Sequence, residues 1–177
     1  MLKFYYTNIS GDELPQTRSD LSLGGFKSST LVPNDSFGNL FGDISVYSVR
    51  ENRDEYVALA LVNETGADVT DVTLYFDYPE NRQKDIELAF VQFNSDGEIE
   101  VIPNPYSRPY NAEFNSADGV ENALNIGNLA ANAKIGVWFK KILNIDNIKD
   151  SYSDYNLEES GNPDIETEDI ALVVDWT

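Results

Sequence analysis

The chain has 177 residues, with 31 acidic and 12 basic side chains, and a formal net charge of −19 at pH 7. Its length and its 41% of hydrophobic residues are typical of a globular chain that can bury its own core. It contains neither cysteine nor histidine, which excludes disulfides, thiolate metal sites and every mechanism that relies on imidazole. Because such an acidic surface repels phosphate groups, we expect no nucleic-acid partner and no membrane partner.

The first 43 residues mix turn-forming residues with large apolar side chains. This mixture predicts an irregular N-terminal arm (1–43), held against its own domain or against a neighbouring subunit. No apolar stretch within it is long enough for a secretion signal or a membrane span. Phe26 separates Gly24-Gly25 from Lys27-Ser28, so the glycine does not directly precede Lys-Ser as a phosphate cradle requires, and we predict a turn or a close-packing site there.

Residues 44–140 show the period-two alternation of half-buried β-strands. In each of three runs, apolar residues occupy every second position: Val57, Leu59 and Leu61; Val72, Leu74 and Phe76; Ile135, Val137 and Phe139. Several short strands at regular spacing predict an all-β antiparallel β-sandwich over residues 44–177. We expect the last of these runs to lie beside the closing strand Ile170–Trp176.

Turn residues divide this body into segments. Asn63–Gly66 and Asn94–Gly97 have the composition of tight turns, and the second predicts a hairpin between Ile86–Phe90 and Ile99–Val101. Three prolines, Pro103, Pro105 and Pro109, then favour a sheet edge or a crossing loop over a central strand.

The acidic segment 141–169 shows little periodicity and predicts a long loop within the sandwich domain. Asp146, Asp150 and Asp154 recur every four residues but lack the Asp/Asn alternation and central glycine of an EF-hand. A solvated loop is favoured over a calcium site, and we expect neither a cofactor nor a catalytic residue. A basic face around Lys134, Lys140 and Lys141 is where a phosphate contact would be sought.

The chain has ten Tyr, nine Phe and two Trp. Phe76, Phe90 and Phe139 are predicted core residues. Tyr75 has the parity opposite to Leu74 and Phe76, and Trp138 the parity opposite to Val137 and Phe139, so both are predicted to point away from that core. Exposed aromatics serve protein interfaces or stack on sugar rings, and the apolar arm favours interfaces.

Three segments, taken in order, carry a resemblance. They are SLGGFKSSTLVPNDSFGNLFGDIS, EYVALALVNETGADVTDVTLYF and ALNIGNLAANAKIGVWFKK, and together they span about residues 20 to 141. They resemble a family of small virion structural proteins of tailed bacteriophages with an immunoglobulin-like sandwich. The matching positions are Leu23-Gly24-Gly25, Asn39 to Asp43, Glu55-Tyr56, Asn63 with Gly66, Asn128 to Ala131, and Trp138 with Lys140-Lys141. Gly42, Asn132 and the lysine pair depart from the pattern, and the overall composition is similar to that of crAss-like gut phages.

The resemblance implies a non-enzymatic virion component, made in the host cytoplasm and present in symmetric copies as a ring at the neck or tail or on the capsid. Its partners would be other copies of itself and portal, neck, tail or capsid proteins. The expected interface residues are Leu23, Phe26, Phe37, Leu40, Phe41, Tyr75 and Trp138. The alternatives are a carbohydrate-binding or adhesion module that uses exposed Tyr and Trp, and a hydrolase, which the missing histidine disfavours.

Overall fold

The structure, a computed structural model, describes residues 1–33, 40–41, 53–78, 84–143 and 171–177. In this part of the chain the regular elements are β-strands and two short 3-10 turns, Ser19–Leu21 and Val120–Asn122. The strands are β1 Leu2–Asn8, β2 Gly25–Leu31, β3 Glu55–Asn63, β4 Val69–Asp77, β5 Ile86–Val91, β6 Glu98–Ile99, β7 Asn115–Ser116, β8 Leu124–Leu129, β9 Lys134–Lys141 and β10 Ala171–Asp175.

The strands form two sheets that pack face to face. The larger sheet has seven strands in the order β6-β2-β1-β3-β9-β5-β7, and the smaller has three in the order β10-β4-β8. All the strand pairs are antiparallel. The predicted all-β antiparallel sandwich is therefore confirmed, and the arrangement is compatible with an immunoglobulin-like fold.

The prediction of an irregular arm over residues 1–43 is wrong for its first 31 residues. β1 lies inside the larger sheet, with β2 on one side and β3 on the other. The alternation of Leu2, Phe4 and Tyr6 supplies core side chains, and the intervening Lys3 and Tyr5 both contact the Glu64 carboxylate. This segment is therefore part of the domain, because its backbone groups complete the ladder of β3.

The core between the sheets contains the residues of the predicted parities. Leu59, Leu61, Leu74 and Val137 are completely buried there, and the ring of Phe139 meets the rings of Phe4 and Phe76 at 6.2 Å each. The placement of Phe76 and Phe139 in the core is confirmed. Phe90 is 37% exposed, because β5 lies near the margin of the larger sheet, which three opposing strands do not cover.

A second apolar cluster covers the other face of the larger sheet. Ile99, Ile102 and Ala112, from the segment that follows β5, pack there against Tyr56 and Trp138. The predicted crossing loop is confirmed. It runs beside β3 and β2, with the amide of Tyr56 bonded to the Pro105 carbonyl at 2.7 Å and the amide of Ile102 to the Leu23 carbonyl at 3.0 Å. Burial on both faces explains why all nine residues of β3 are buried, where alternation predicted only half.

The predicted hairpin between Ile86–Phe90 and Ile99–Val101 is wrong in its pairing. The turn itself is present, with the amide of Asn94 bonded to the Glu98 carbonyl at 2.8 Å. However, β5 pairs with β9 and β7, and β6 pairs with β2. Both edges of β5 are therefore occupied, and the turn carries the chain out of the sheet and across its face.

The closing strand also lies elsewhere than predicted. β10 pairs with β4 in the smaller sheet, in a regular register from Ala171↔Asp77 to Asp175↔Thr73. The position beside β9 is not free, because β9 already lies between β3 and β5. The acidic segment 144–170, which includes Asp146, Asp150 and Asp154, lies outside the described residues.

Candidate functional site

The described residues do not offer a site for metal chemistry. No group of three or more Asp or Glu side chains lies close enough within them to hold a metal ion. A search of the same residues for a helix long and apolar enough to cross a membrane also finds none. The features that bear on function are therefore the surfaces of the sandwich and the junctions that fix them.

Two predicted interface residues belong to the interior. Trp138 does point away from Phe139, as predicted, but it is completely buried in the second cluster rather than available to a partner. Leu40 is buried in the core between the sheets. The interface prediction is wrong for both, because other segments of this chain cover them.

The remaining predicted residues divide between the fold and the surface. Leu23 packs against the second cluster, and Phe41 packs against the main core with the Lys141 ammonium 5.8 Å from its ring centre. Phe26 is half-buried in β2, and Tyr75 is half-buried on the outer face of the smaller sheet. Phe37 lies outside the described residues.

The Gly24-Gly25 pair forms a close-packing site, as predicted. A Cβ on Gly24 would lie 1.9 Å from the Glu100 carbonyl oxygen, and a Cβ on Gly25 2.5 Å from the Asn8 carbonyl oxygen. Both residues have positive φ, at +96° and +86°, where glycine is favoured. The backbone before β2 therefore contacts two other segments at distances that no side chain would allow.

Hydroxyl groups satisfy the buried backbone next to this glycine pair. The Ser22 hydroxyl donates to the Ala58 carbonyl at 2.6 Å, and the Thr7 hydroxyl donates to the same oxygen at 3.1 Å. The amide of Thr7 bonds to the Ser22 hydroxyl oxygen, and the amide of Gly24 to that of Thr7. These bonds join the end of β1, the approach to β2 and the middle of β3, so no buried polar group there is left unpaired.

Asn63 forms a second junction, at the C-terminal end of β3. Its side-chain amide donates to the carbonyls of Ala67, Leu129 and Ala130 at 2.8, 2.9 and 3.0 Å, and its oxygen accepts from the amide and hydroxyl of Thr65. The side chain is completely buried. The sequence indicated only a turn here, because nothing local shows that the same amide joins the turn to the Leu129–Asn132 corner.

Replacing Asn63 by alanine is expected to lower the free energy of unfolding by about 3 kcal/mol, since several buried backbone groups lose their partners. Asn94→Ala is the matched control, because Asn94 begins a turn of the same pattern but is exposed and only accepts bonds, from Asp96 and Glu98. We expect the control to cost no more than about 1 kcal/mol. Urea denaturation of both variants measures the difference, and equal losses would show that Asn63 acts only as a turn residue.

Glu55 opens β3 with a buried carboxylate. One oxygen of this carboxylate has no hydrogen-bond partner among the described residues. Burial raises the pKa of Glu55, and attraction to Lys141, its neighbour on β9, offsets part of that increase. The neutral acid is therefore favoured in the folded chain relative to the unfolded chain.

This raised pKa fixes the direction of a pH effect. Below the unfolded pKa Glu55 is neutral in both states, and stability is lost as the pH rises through the folded pKa, because the folded chain must then bury a charge. Glu55→Gln is therefore expected to raise the melting temperature at pH 7 and to leave it unchanged at pH 4. Glu113→Gln, at an exposed position, is the control. A lower melting temperature of the Glu55→Gln variant at pH 7 would mean that attraction between the Glu55 charge and Lys141 outweighs the cost of burial.

The predicted basic face is already neutralised within the fold. Lys140 pairs with Asp54 at 3.3 Å and with Glu87 at 2.8 Å, which joins three neighbouring strands at one level of the sheet. Lys134 lies 3.6 Å from Asp12 and over the ring of Phe93. Lys134 and Lys140 are therefore engaged in contacts within the fold, and Lys141 lies over the ring of Phe41.

The smaller sheet presents an acidic outer face. Its three strands carry Asp71, Asp77 and Asp175 and contain no lysine or arginine. Tyr75 and Val173 lie side by side on this face. This face therefore combines a single sign of charge with a half-exposed aromatic residue.

A polar groove lies on the other side of the molecule, at the end of β5. It has a volume of about 370 Å³ and is lined by Gln92, Asn94, Glu98 and Asn111 among others. Tyr110, beside it, is 91% exposed, while its amide and that of Asn111 bond to the Glu100 carboxylate. Val91 and Ile99 complete the lining, so the groove offers amide and carboxylate groups for sugar hydroxyls and an apolar floor, and Tyr110 precedes the lining residue Asn111.

No protein-family model matches the sequence, and comparisons with curated proteins and with solved structures return no match.

Proposed function

We propose that this chain is a non-enzymatic structural component of a tailed-phage virion. It would assemble in symmetric copies, as a ring at the neck or tail or on the capsid, through the faces and edges of its sandwich. Its partners would be copies of itself and other virion proteins, with no nucleic acid and no membrane among them.

The observation that carries this proposal is where the motifs of the resemblance lie in the fold. Asn63 bonds directly to the carbonyls of Leu129 and Ala130, which belong to a motif more than sixty residues away in sequence. The Ser22 carbonyl, next to the Leu23-Gly24-Gly25 motif, accepts the amide of Ala58 near the Glu55-Tyr56 motif. Because these motifs contact one another, they belong to one structural framework of the kind that the resemblance implies. A framework in common with the phage structural proteins supports a role in common with them.

Of the two placements expected for the N-terminal segment, this proposal uses the one against its own domain for residues 1–31. An arm that lies across a neighbouring subunit must be free of its own sheet. β1, by contrast, is hydrogen-bonded on both sides within the larger sheet. The assembly surfaces of this proposal are therefore the acidic outer face with Tyr75 and the open sheet edges.

Mass spectrometry of gradient-purified phage particles tests the proposal. We expect the chain to be present at a copy number that fits a symmetric ring or a capsid lattice, and to stay with the particle through high-salt washing. Particles that retain portal and tail proteins but lack this chain would refute a structural role.

A carbohydrate-binding module is the second candidate, and the groove beside Tyr110 is the observation that favours it. Tyr110→Ala would then abolish binding on a glycan array, while Tyr75→Ala, on the opposite side of the sandwich, would leave it intact. Absence of binding across neutral and acidic glycans would remove this candidate.

A further inference from the structure

The four sheet edges in the described part of the chain differ in how well they are protected against pairing. β6 and β7 are two residues long and offer almost no ladder. β8 is longer, but its pairing with β4 shifts register twice, and Gly127 has a φ of +83°. Short strands and bulges are ordinary means of protecting an edge.

β10 has none of these protections. Its five residues keep one register with β4 throughout, and they include neither proline nor lysine. Thr177 and Thr70 form two reciprocal backbone hydrogen bonds, which extend the pairing past the end of β10. Within the described residues the side of β10 facing away from β4 has no strand partner. β10 therefore presents a straight row of backbone donors and acceptors.

An apolar cleft lies beside this edge. Seven strands face three in this sandwich, and β10, at the margin of the smaller sheet, faces β1 and the end of β2. The space between them is about 380 Å³, lined mainly by Leu2, Phe4, Leu31, Val32, Leu172 and Val174. Lys3, which also lines it, is paired with Glu64 at 2.7 Å. The cleft is therefore shaped for apolar side chains that project from one face of an added strand.

The larger sheet limits what can occupy this position. A strand placed next to β10 would lie over β1 and the end of β2, which line the cleft with Leu172 and Val174, so the edge of a second folded sandwich would meet the larger sheet. A single extended segment avoids that collision. Residues of such a segment that point outward would lie next to Asp175 and near Asp77, on a face without basic residues. Charge complementarity therefore favours lysine or arginine at the outward positions.

We propose that the β10 edge is a strand-addition site for an extended segment of another protein chain in which aliphatic residues alternate with lysine or arginine. The aliphatic side chains fill the cleft above β1 and β2, and the cations face the aspartates of the smaller sheet. Backbone hydrogen bonds to β10 supply affinity, and the alternation supplies specificity. This inference does not depend on a virion role, so either one can fail without the other.

The test uses the full chain and a short synthetic peptide in which valine alternates with lysine. A peptide of the same composition with its valines grouped together controls for charge alone. We expect saturable binding of the alternating peptide only, with new hydrogen-exchange protection at residues 171–175. Trp176, which is 39% exposed and follows β10, provides a fluorescence signal for the titration.

Two pairs of measurements locate the site. Leu172→Ala is expected to weaken binding about tenfold by removing cleft contacts, while Val173→Ala, on the opposite face of the same strand, changes it less than about twofold. Asp175 is exposed, so Asp175→Lys is expected to leave folding intact. The substitution is expected to weaken binding of the valine–lysine peptide and to strengthen binding of a valine–glutamate peptide.

Three outcomes would overturn the proposal. The first is equal binding of the grouped peptide, which would indicate attraction to charge alone. The second is protection that appears away from β10. The third is strong exchange protection of all β10 amides before any peptide is added, which would show that residues of this chain already cover the edge.

Discussion

A chain that begins at residue 32 is expected to lose cooperative folding altogether. The deletion removes β1 and β2, and with them the backbone partners of one side of β3. It also removes Phe4 and Tyr6 from the core and exposes the ring of Phe139 and the aliphatic side chain of Leu59 to water. Each large buried side chain is worth about 1.5–3 kcal/mol, so the total is comparable to the whole stability of a domain.

Thermal melting followed by circular dichroism, together with gel filtration, measures this result. Phe4→Ala is expected to cost about 3–5 kcal/mol alone, whereas Ile9→Ala, at a position 62% exposed just after β1, should change stability by less than about 0.5 kcal/mol. A truncated chain that stays monomeric, rich in strand and cooperative in melting would restore the view of residues 1–31 as a separable arm.

Gly24→Ala is the second large effect, because the added methyl carbon would lie 1.9 Å from the Glu100 carbonyl oxygen. That oxygen belongs to the backbone, so the clash is relieved only by moving the crossing segment or the approach to β2. The hydroxyl network of Thr7 and Ser22 lies next to the same point. We expect a loss of at least about 4 kcal/mol in the free energy of unfolding.

Gly66→Ala separates this clash from simple backbone strain. Gly66 has a similar φ, +85°, but a Cβ there would meet nothing within 4 Å. Its cost should therefore be only the strain of alanine in the left-handed region, about 1–2 kcal/mol. Chemical denaturation of the two variants gives the difference directly. Equal losses would mean that the contact with Glu100 relaxes at no cost.

Alternation along the sequence predicted most of the strands, because each strand has one face toward the core between the sheets. It failed for β1, because the short alternation of Leu2, Phe4 and Tyr6 is followed directly by turn-rich residues that favour an irregular segment. Local pattern also could not show which strands pair. The partners of β5, β6 and β10 are set by which sheet edges remain open, and this depends on the whole chain.

The candidate surfaces were less predictable than the strands. Trp138 has the parity expected for the far side of β9, but the crossing segment that buries it follows β5 in sequence and carries no signal of its destination. Asn63 looked like an ordinary turn residue for the same reason, since its partners Leu129 and Ala130 lie in a distant corner. By contrast, the Gly24-Gly25 pair was predictable, because adjacent glycines away from a phosphate motif indicate close backbone approach.

The position of β3 also has a consequence for how the chain is made. Its partner β9 consists of residues 134–141, so about seventy residues must be synthesised after β3 before that side of the strand can pair. Until then a nine-residue strand that is apolar on both faces is exposed beside β1. Such late, long-range pairing slows folding and favours association between nascent chains. The high negative charge of the chain opposes that association, because like-charged chains repel one another. We therefore expect the charge to matter most during synthesis, before β3 is covered.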